Sequence, residues 1–445
     1  MAVRPKRLKN KNIPHLLFAD AKGKVFDFKG LEAAGMKAGQ FYRLDPDQFV
    51  PLPDSSELFM LPDRNPVGFK GEEAVVLDQD PYSQKKQECF AVAAFIPPGY
   101  TLTHNTAYHE KEGARMLPLF AYAACVLYKD KFYAAAVRVD RSYRHDNRFM
   151  DSEEIKKNIS RFRKLFPKNR LIGHLENCAT ANSCANAKNF FLERFEAPIP
   201  TSPVCNAQCQ GCISFQPKDR IPSTQSRIQF TPTPEEIAEI ALAHIENVPD
   251  PIVSFGQGCE GEPSLAVDTI EKAIRMIRAR TSKGSINMNS NASRPQAIAR
   301  LFDAGLNTLR VSTNSVREPY YSRYYQPRGY SLKELRESIQ LAKKAGGFVS
   351  LNYLSMPGFT DSEGESEALI DFIDSYRVDM VQWRNLNYDP LHYFNDLKIA
   401  PDTLRFIGMK EVIEKIQTRF PGLLTGYFNP RPKKIKREFL QEKRL

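Results

Sequence analysis

The feature that most constrains the fold of this chain is a regular alternation of strand-like and helix-like segments over its second half. Short apolar runs alternate with longer segments whose apolar residues recur at the spacing of one helical face. The predicted strands are a run before Cys205 and residues 251–255, 285–289, 308–313, 348–354 and 378–384. Parallel strands require crossover helices, so six strand-helix units predict a parallel α/β sheet, either an open sheet or a partial (β/α)6 TIM-like barrel.

The length of 445 residues exceeds what one hydrophobic core usually supports, which predicts more than one domain. We assign residues 1–193 to an N-terminal accessory α+β module, 194–422 to the barrel and 423–445 to a basic C-terminal tail. Within the module, residues 121–139 around Lys129-Asp130-Lys131 read as a hairpin. Residues 151–166 read as a helix that a capping box from Asp151 to Glu154 opens.

The net charge of +11 is concentrated at the two ends of the chain. Residues 1–12 carry five basic side chains and no acidic one, and residues 431–445 carry seven basic and two acidic ones. Such tails either contact phosphate backbones or are solvated ends, and we favour solvated ends because no basic stripe runs through the body. The longest apolar stretch, 116–128, falls short of the roughly 20 residues of a membrane span. The N-terminus is basic but lacks the apolar region of a secretory signal, so we expect a cytoplasmic protein.

Three cysteines, Cys205, Cys209 and Cys212, form a CxxxCxxC run directly after the first predicted strand. Thiolates are soft ligands that select zinc, copper(I) or iron-sulfur clusters, and close spacing on a loop lets them converge on one centre. A structural zinc site takes four ligands, whereas three thiolates on a cubane leave one iron open for another ligand. The count of three therefore favours a cluster that performs chemistry.

Small polar residues follow the next three predicted strands. A glycine-rich segment with Gly261, Glu262 and Pro263 follows the second strand, and its carboxylate is suited to an ammonium group. The third and fourth strands lead into polar side chains suited to a sugar: Asn289, Asn291, Ser312 and Asn314. Because the carboxyl ends of parallel strands meet at one edge of the sheet, we expect all of them beside the cysteine loop.

These residues resemble the radical S-adenosylmethionine (radical SAM) enzymes, a superfamily with a CxxxCxxC loop after the first strand of a partial (β/α)6 barrel and a GGEP-like motif after the second. The cysteine spacing matches, Gly261-Glu262-Pro263 is similar to the second motif, and the likeness covers roughly residues 196–389. Two positions depart from the pattern. Gly211 stands where the family usually has an aromatic residue before the third cysteine, and Cys259-Glu260 replaces the usual glycine context.

The resemblance implies that Cys205, Cys209 and Cys212 ligate a 4Fe-4S cluster whose open iron chelates S-adenosylmethionine. It implies an oxygen-sensitive enzyme that forms a 5'-deoxyadenosyl radical, which abstracts a substrate hydrogen, and a reductant such as flavodoxin or ferredoxin. Gly261 and Glu262, with Pro263, would meet the methionyl amine. The ribose and adenine side would be met by Asn289, Asn291, Ser312, Asn314 and Gly211.

Two further cysteines, Cys178 and Cys184, lie upstream of the first barrel strand. With Cys89, Cys125 or Cys259 they would supply an auxiliary metal site, such as a second iron-sulfur cluster, and the alternative is that they are buried thiols of the core. The seven histidines form no hydrolase constellation, and we interpret His244 as a packed or end-capping residue. The tyrosine run at 320–325 is interpreted as packing rather than as a substrate border.

The substrate stays open at this point. A small metabolite is favoured over RNA or a peptide, and an RNA- or peptide-modifying member of the same superfamily is the alternative. A non-catalytic iron-sulfur or zinc-binding protein is the other class, and it predicts no cleavage of S-adenosylmethionine.

Overall fold

A computed structural model describes residues 13–217 and 220–431, and these residues form two compact units. One unit contains the described residues up to Arg138 together with Ser355–Ser366 and Asn385–Lys415. The other contains Val139–Leu354, Glu367–Arg384 and the described residues from Ile416 onward. The residues that carry the cysteine run and the polar segments after the predicted strands all belong to the second unit.

The first unit is built mainly of antiparallel strands, which form a 12-stranded sheet and a separate two-stranded one. The predicted hairpin is confirmed, because Tyr128 pairs with Lys131 and the intervening Lys129 and Asp130 have φ values of 49° and 59°. The strands are β1 (His15–Ala19), β2 (Val25–Lys37), β3 (Gln40–Arg43), β4 (Val50–Pro51), β5 (Glu57–Met60), β6 (Arg64–Lys70), β7 (Glu73–Val76), β8 (Phe90–Phe95), β9 (Tyr100–Leu102), β10 (Asn105–Thr106), β11 (Tyr108–Glu110), β12 (Ala123–Tyr128), β13 (Lys131–Ala134) and β14 (Ala136–Arg138).

Three helices open the second unit: α1 (Ser152–Leu165), α2 (Arg170–Thr180) and α3 (Ala185–Phe191). Asp151 caps α1 by accepting hydrogen bonds from the backbone N–H groups of Glu153 and Glu154, so the helix predicted at 151–166 is confirmed. Asn169 caps α2 through the N–H of Leu171. Its amide also donates to the Glu236 carbonyl at 2.9 Å, which ties α2 to the helix that contains Glu236.

The rest of the second unit is a seven-stranded parallel sheet with the strands in chain order. The strands are β15 (Glu196–Pro198), β16 (Ile252–Phe255), β17 (Ser285–Ser290), β18 (Thr308–Thr313), β19 (Phe348–Ser355), β20 (Met380–Asn385) and β21 (Leu424–Gly426). The helices that follow β15 in the chain are α4 (Pro234–Asn247), α5 (Val267–Arg280), α6 (Pro295–Ala304), α7 (Glu318–Tyr325), α8 (Leu332–Lys344), α9 (Glu363–Tyr376), α10 (Pro390–Asp396) and α11 (Met409–Arg419). Of these, α10, the start of α9 and residues 409–415 of α11 belong to the first unit. The α/β architecture and the parallel sheet predicted from the alternation are thereby confirmed.

The outer face of this sheet is apolar and covered by helices. Val253, Ile286 and Leu309 are fully buried, and the stripe of α5 formed by Ile270, Ala273, Ile274 and Ile277 is also fully buried. Each buried aliphatic side chain of this kind contributes about 1.5–3 kcal/mol relative to an exposed one. The packing of helices on the sheet therefore supplies the main stabilisation of the second unit.

The inner face of the sheet is polar, and its side chains are bonded from strand to strand. Asn287 donates to Ser254 Oγ at 3.0 Å and accepts from Thr308 Oγ1 at 2.7 Å, which links β16, β17 and β18. Asn429, beyond β21, donates to Glu196 Oε1 at 2.9 Å and accepts from Gln382 Nε2 at 3.2 Å. The residue after the last strand thus reaches the first strand, so the sheet is a curled half-barrel with a polar interior.

Two details differ from the sequence-based prediction. The first strand, β15, is only three residues long, and a seventh strand, β21, lies at the start of the segment assigned to the basic tail. Residues 1–12 and 432–445, which hold most of the basic tail residues, lie outside the described part of the chain. The domain boundaries at 193 and 422 stay predictions. Among the described residues, no helix is long and apolar enough to span a bilayer.

Candidate active site

The three cysteines lie on the long loop that joins β15 to α4, and all three are partly exposed. Backbone hydrogen bonds hold this loop against the end of α7 and the residues beyond it. Gln208 and Gln210 donate to the carbonyls of Tyr325 and Tyr324 at 3.0 and 2.9 Å, and Arg328 donates to the Asn206 carbonyl at 2.8 Å. The loop is therefore held in one conformation by ordinary backbone bonds, as a preformed ligand set requires.

The thiols of this loop lie in surroundings that oppose their ionisation. Burial raises the pKa of Cys205 to about 11, and the negative charge of Glu262 adds to the rise. Burial raises the pKa of Cys209 well above its usual value, with the charges of Cys212 and Cys205 contributing in the same direction. Thiolates are the form that binds metal, and three of them side by side repel one another. Such a set is stable when a positively charged metal centre accompanies the loss of the protons.

The segment after β16 docks directly on the cysteine loop. Gly261 N–H donates to the Ser202 carbonyl at 2.7 Å, and Glu262 N–H donates to the Val204 carbonyl at 2.9 Å. A Cβ atom built on Gly261 would lie 1.9 Å from the carbonyl oxygen of Val204. Only glycine permits this approach of two backbones, so the requirement for Gly261 is steric.

The carboxylate of Glu262 is buried and joins this segment to the end of β17. It accepts from Ser290 Oγ at 2.6 Å, from Ser264 N–H at 3.0 Å and from Asn291 N–H at 2.9 Å. Burial raises the pKa of Glu262, while these donors act in the opposite direction. Pro263 begins the short 3-10 helix Pro263–Ala266 directly after it. Glu262 thus holds two loops of the carboxyl edge in register.

The asparagines at the end of β17 complete this network. Asn291 Nδ2 donates to Asn206 Oδ1 at 2.8 Å, and Asn206 Nδ2 donates to Ser293 Oγ at 2.8 Å. Asn289 lies two residues before Asn291, and its side-chain amide donates to the Gly256 carbonyl at 2.8 Å. The loops after β15, β16 and β17 are therefore connected by direct side-chain and backbone bonds.

The remaining predicted residues occupy the same edge but have other partners. Ser312, at the end of β18, accepts from Asn352 Nδ2 at 3.4 Å, and Asn314 Nδ2 donates to the Tyr320 carbonyl at 3.4 Å. Gly211 lies within the cysteine loop and is half-buried. The tyrosine run packs as predicted at Tyr321, Tyr324 and Tyr325, all of which are buried.

The contacts of two residues in this region were not predicted from the sequence. Arg227 Nη2 lies 3.4 Å from Cys212 Sγ, and its Nε donates to Ser214 Oγ at 3.2 Å, so a cation borders the cysteine triad. Glu260 is buried and accepts five hydrogen bonds of 2.6–3.0 Å from Thr201, Ser202, Gly256 and Gln257. Burial raises the pKa of Glu260 to about 7, and the donors act against that rise. No local spacing in the sequence identifies either contact.

Two arginines lie in the interior of the half-barrel, Arg310 on β18 and Arg384 on β20. Arg310 Nη1 donates to Gln382 Oε1 at 3.2 Å, and its Nε is buried without a hydrogen-bond partner among the described residues. Burial lowers the pKa of Arg310 to about 9, and the charge of Arg384 lowers it further. Arg384 lies over the ring of Tyr427, 4.0 Å from its centroid. An anion in this interior would relieve the repulsion between the two guanidinium groups.

Cys178 lies beside Cys259 and His174. The ligand atoms of His174, Cys178 and Cys259 all lie within 4.8 Å of one another, and a hydrogen bond with Cys259 lowers the pKa of Cys178. Cys184 precedes α3, and its N–H donates to the Cys178 carbonyl at 2.8 Å. Two cysteines named as alternative partners are bonded elsewhere: Cys89 Sγ donates to the Leu77 carbonyl and Cys125 Sγ to the Val92 carbonyl.

His244 agrees with its interpretation as a packed residue. It is 2% exposed, and its ring lies 6.3 Å from that of Phe190 between centroids. Burial lowers the pKa of His244 to about 4, so the imidazole is neutral in the folded chain at pH 7.

Part of the chain is similar to a known family and to known proteins. Residues 199–370 match the family model described as the radical SAM superfamily, a segment that contains every residue assigned above to the cofactor site. The chain is 32% identical over 145 residues, 29% of its length, to a probable dual-specificity RNA methyltransferase RlmN of Chlorobium luteolum. It is 24% identical over 217 residues, 48% of its length, to a GTP 3',8-cyclase of a Sulfurovum species. The chain spans 40% and 60% of the length of these two relatives.

Two solved structures are similar at a lower level. One is described as native anSMEcpe with bound AdoMet, with 14% identity, a TM-score of 0.35 and coverage of 43% of this chain and 52% of that one. The other is a radical SAM methyltransferase from Sphaerobacter thermophilus, with 15% identity, a TM-score of 0.35 and coverage of 51% and 63%.

Proposed function

We propose that the chain is an enzyme of the radical SAM superfamily, whose model residues 199–370 match, and that Cys205, Cys209 and Cys212 hold its 4Fe-4S cluster beside a bound S-adenosylmethionine. When bound, these cofactors supply a reductive carbon-sulfur cleavage that yields methionine and a 5'-deoxyadenosyl radical, which abstracts a hydrogen from the substrate. The observation that carries the proposal is the direct docking of Gly261 and Glu262 on the cysteine loop.

The residues of this chain act by holding and orienting. The backbone around Gly261, Glu262 and Pro263 meets the methionyl amine, with Glu262 as the residue that positions this loop. Ser312 and Asn314, with Asn289, Asn291 and Gly211, are assigned to the ribose and adenine side. This assignment is supported by their common place at the carboxyl edge of β15 to β18, where ligands of parallel α/β sheets bind.

Formation of 5'-deoxyadenosine tests this proposal. The full chain is loaded with iron and sulfide without oxygen, reduced with dithionite and supplied with S-adenosylmethionine. We expect 5'-deoxyadenosine and methionine by mass spectrometry, and a Cys209→Ser variant is expected to form neither. Cys89→Ser is the matched control, because a serine hydroxyl can also donate to the Leu77 carbonyl. Cluster-loaded protein that forms no 5'-deoxyadenosine would contradict the proposal.

For the substrate, we favour a small anion such as a carboxylate or phosphate over a macromolecule. The support comes from Arg310 and Arg384 inside the half-barrel, where one guanidinium nitrogen is buried without a partner among the described residues. Guanidinium groups bind planar or tetrahedral anions through several N–H donors at once. A one-electron donor such as flavodoxin or ferredoxin is the expected partner, and a second iron-sulfur cluster at Cys178 and Cys184 stays a prediction.

Thermal unfolding in phosphate tests the anion site. Phosphate stabilises every variant to some extent because it is excluded from protein surfaces, and binding to the folded state adds to that rise in the midpoint. The midpoint of the wild-type chain is therefore expected to rise more in phosphate than that of Arg310→Met, both measured against chloride at equal ionic strength. Arg275→Met, on the exposed face of α5, is the control expected to rise as much as the wild type. An equal response in the Arg310 variant would exclude Arg310 from the site.

RNA modification is the second candidate function, and the RNA methyltransferase among the relatives favours it. Binding of RNA would depend steeply on salt through phosphate contacts. A chain that lacks residues 432–445 is expected to lose RNA binding at moderate salt if this alternative is right. A small substrate predicts unchanged turnover after the same truncation.

A further inference from the structure

A second group of metal-ligating side chains lies outside the cofactor site. Among residues 13–217 and 220–431, His174, Cys178 and Cys259 form the one group of three histidine, cysteine or carboxylate side chains whose ligand atoms all lie within 4.8 Å of one another. His174 and Cys178 are four residues apart on α2, so they share one face of the helix. Cys259 approaches them from the segment after β16.

The distance between the ligand atoms matches one shared metal ion. His174 Nε2 and Cys178 Sγ are 3.5 Å apart. Tetrahedral zinc with Zn–N of about 2.0–2.1 Å and Zn–S of about 2.3 Å separates two such ligands by about 3.5 Å. The thiolates of a cubane cluster bind different iron atoms and therefore lie farther apart. In the described residues, the triad Cys205, Cys209 and Cys212 does not meet the 4.8 Å limit.

Both segments that bring these ligands together are anchored independently. The α2 helix is held through Asn169, whose amide donates to the Glu236 carbonyl at 2.9 Å and to Glu239 Oε2 at 2.8 Å. The carbonyl of Cys259 accepts from Ile228 N–H at 2.8 Å, and the next residue, Glu260, accepts five hydrogen bonds. The ligands are thus held in place before any ion binds, which favours binding.

We propose that His174, Cys178 and Cys259 bind one zinc ion that fastens α2 to the segment preceding Gly261. Two thiolates and an imidazole are the donors of structural zinc sites, and the two sulfur ligands, 1% and 4% exposed, are closed off from solvent. Cys184 is the candidate for the fourth ligand: its backbone N–H donates to the Cys178 carbonyl, and its side chain lies outside the group of three. This inference does not depend on the proposed reaction.

Metal analysis of the cluster-loaded full chain tests the proposal. We expect about one zinc per chain, from the four-ligand stoichiometry of such sites. Cys178→Ser and Cys259→Ser are expected to lose the zinc and to keep the iron. Cys89→Ser, the matched control, keeps both metals. Zinc that persists in the Cys178→Ser, Cys259→Ser double variant, or zinc at background in the wild type grown with added zinc, would overturn the proposal.

Two further measurements keep the test independent of folding defects. X-ray absorption at the zinc edge of the wild-type chain is expected to show sulfur and imidazole ligands together, whereas zinc misplaced at the triad would show sulfur without imidazole. Cys178→His retains a ligand and is expected to retain zinc, unlike Cys178→Ser. A disulfide between Cys178 and Cys259 in protein isolated without oxygen would overturn the site. Loss of about four iron atoms in Cys178→Ser would replace it with an auxiliary cluster.

Discussion

Two sulfur-rich regions of the same half-barrel differ in how they are built. The triad Cys205, Cys209 and Cys212 comes from one loop, is partly exposed and has a cation, Arg227, beside it. Cys178 and Cys259 come from a helix and a distant loop, and both sulfur atoms are buried. An exposed set with an open coordination position suits chemistry, and a closed buried set suits a structural role. Exposure and ligand distance separate the two roles where the residue type does not.

The two regions meet in a single short segment. Cys259 faces α2, Glu260 anchors the segment to Thr201 and Ser202, and Gly261 contacts Val204 of the cysteine loop. Two connections therefore join the sites: Glu260, and the hydrogen bond from Ile228 N–H on the cysteine loop to the Cys259 carbonyl. The comparison predicts that the two sites respond separately to substitution unless this segment itself is displaced.

Replacing all three triad cysteines by alanine has the largest expected effect. The variant is expected to lose its iron and to form 5'-deoxyadenosine only at background, because no thiolate remains to hold a cluster. Its zinc content is expected to stay at the wild-type level. Elemental analysis and mass spectrometry of the product check both statements. Zinc that disappears together with the iron would show that the two regions are not separate sites.

Gly261→Ala tests the contact between the two loops. The new Cβ would lie 1.9 Å from the Val204 carbonyl oxygen, so the segments must move apart. A displacement of this size at a reacting centre costs about 100-fold in rate, and we expect that loss in 5'-deoxyadenosine formation. Gly422→Ala is the control, since its Cβ would meet no atom within 4 Å. Unchanged turnover in Gly261→Ala would show that 5'-deoxyadenosine formation does not require the close contact of the two loops.

The sequence predicted one region and only part of the other for a physical reason. The triad cysteines lie within eight residues, so their spacing alone predicts a shared centre. Cys178 and Cys259 are distant in the chain, and only the docking of α2 on the segment after β16 brings them together. The pair Cys178 and Cys184 suggested an auxiliary site, but His174 was not among the residues considered. Its place four residues before Cys178 on a helix was the available signal.

The fold, like the triad, was predictable where the signal is local in the sequence. Apolar periodicity predicted the strands from β16 to β20, which have four to eight residues and are flanked by striped helices. The terminal strands have three residues each: β15 was predicted only as a run before Cys205 without bounds, and β21, which pairs with β20, was not predicted. Polar and apolar residues alternate in β17, which indicates one polar face. Which face of the strand turns inward depends on the curvature of the sheet, and periodicity does not encode that curvature.

The buried imidazole of His244 lies on α4, where it packs against Phe190 of α3. The unfolded chain protonates this side chain near pH 6.5 and the folded chain only near pH 4, because the imidazole is buried. Its contribution to stability is therefore complete above pH 6.5 and is lost as the pH falls toward 4. Between pH 7 and pH 5 this loss amounts to about 2 kcal/mol.

His244→Gln isolates this effect, because glutamine has no charge to gain. Urea unfolding at pH 7 and pH 5 is expected to show a fall in the free energy of unfolding that is smaller in the variant by about 2 kcal/mol. All other titrating groups are shared by the two proteins and cancel in the difference. An equal fall in both would mean that His244 is hydrated in the folded chain.

Arg227 borders the cysteine triad, since its Nη2 lies 3.4 Å from Cys212 Sγ. A reduced cluster carries one more negative charge than an oxidised one, so a neighbouring guanidinium stabilises the reduced form more. Arg227→Gln is expected to make the midpoint potential more negative by about 50 mV, close to a tenfold change in a one-electron equilibrium. Potentiometric titration of the cluster-loaded chain measures the shift, with Arg275→Gln on exposed α5 as the charge-matched control. Since Arg227→Lys keeps the charge, it is expected to recover part of the potential, and a shift in the positive direction in Arg227→Gln would place the cluster away from Cys212.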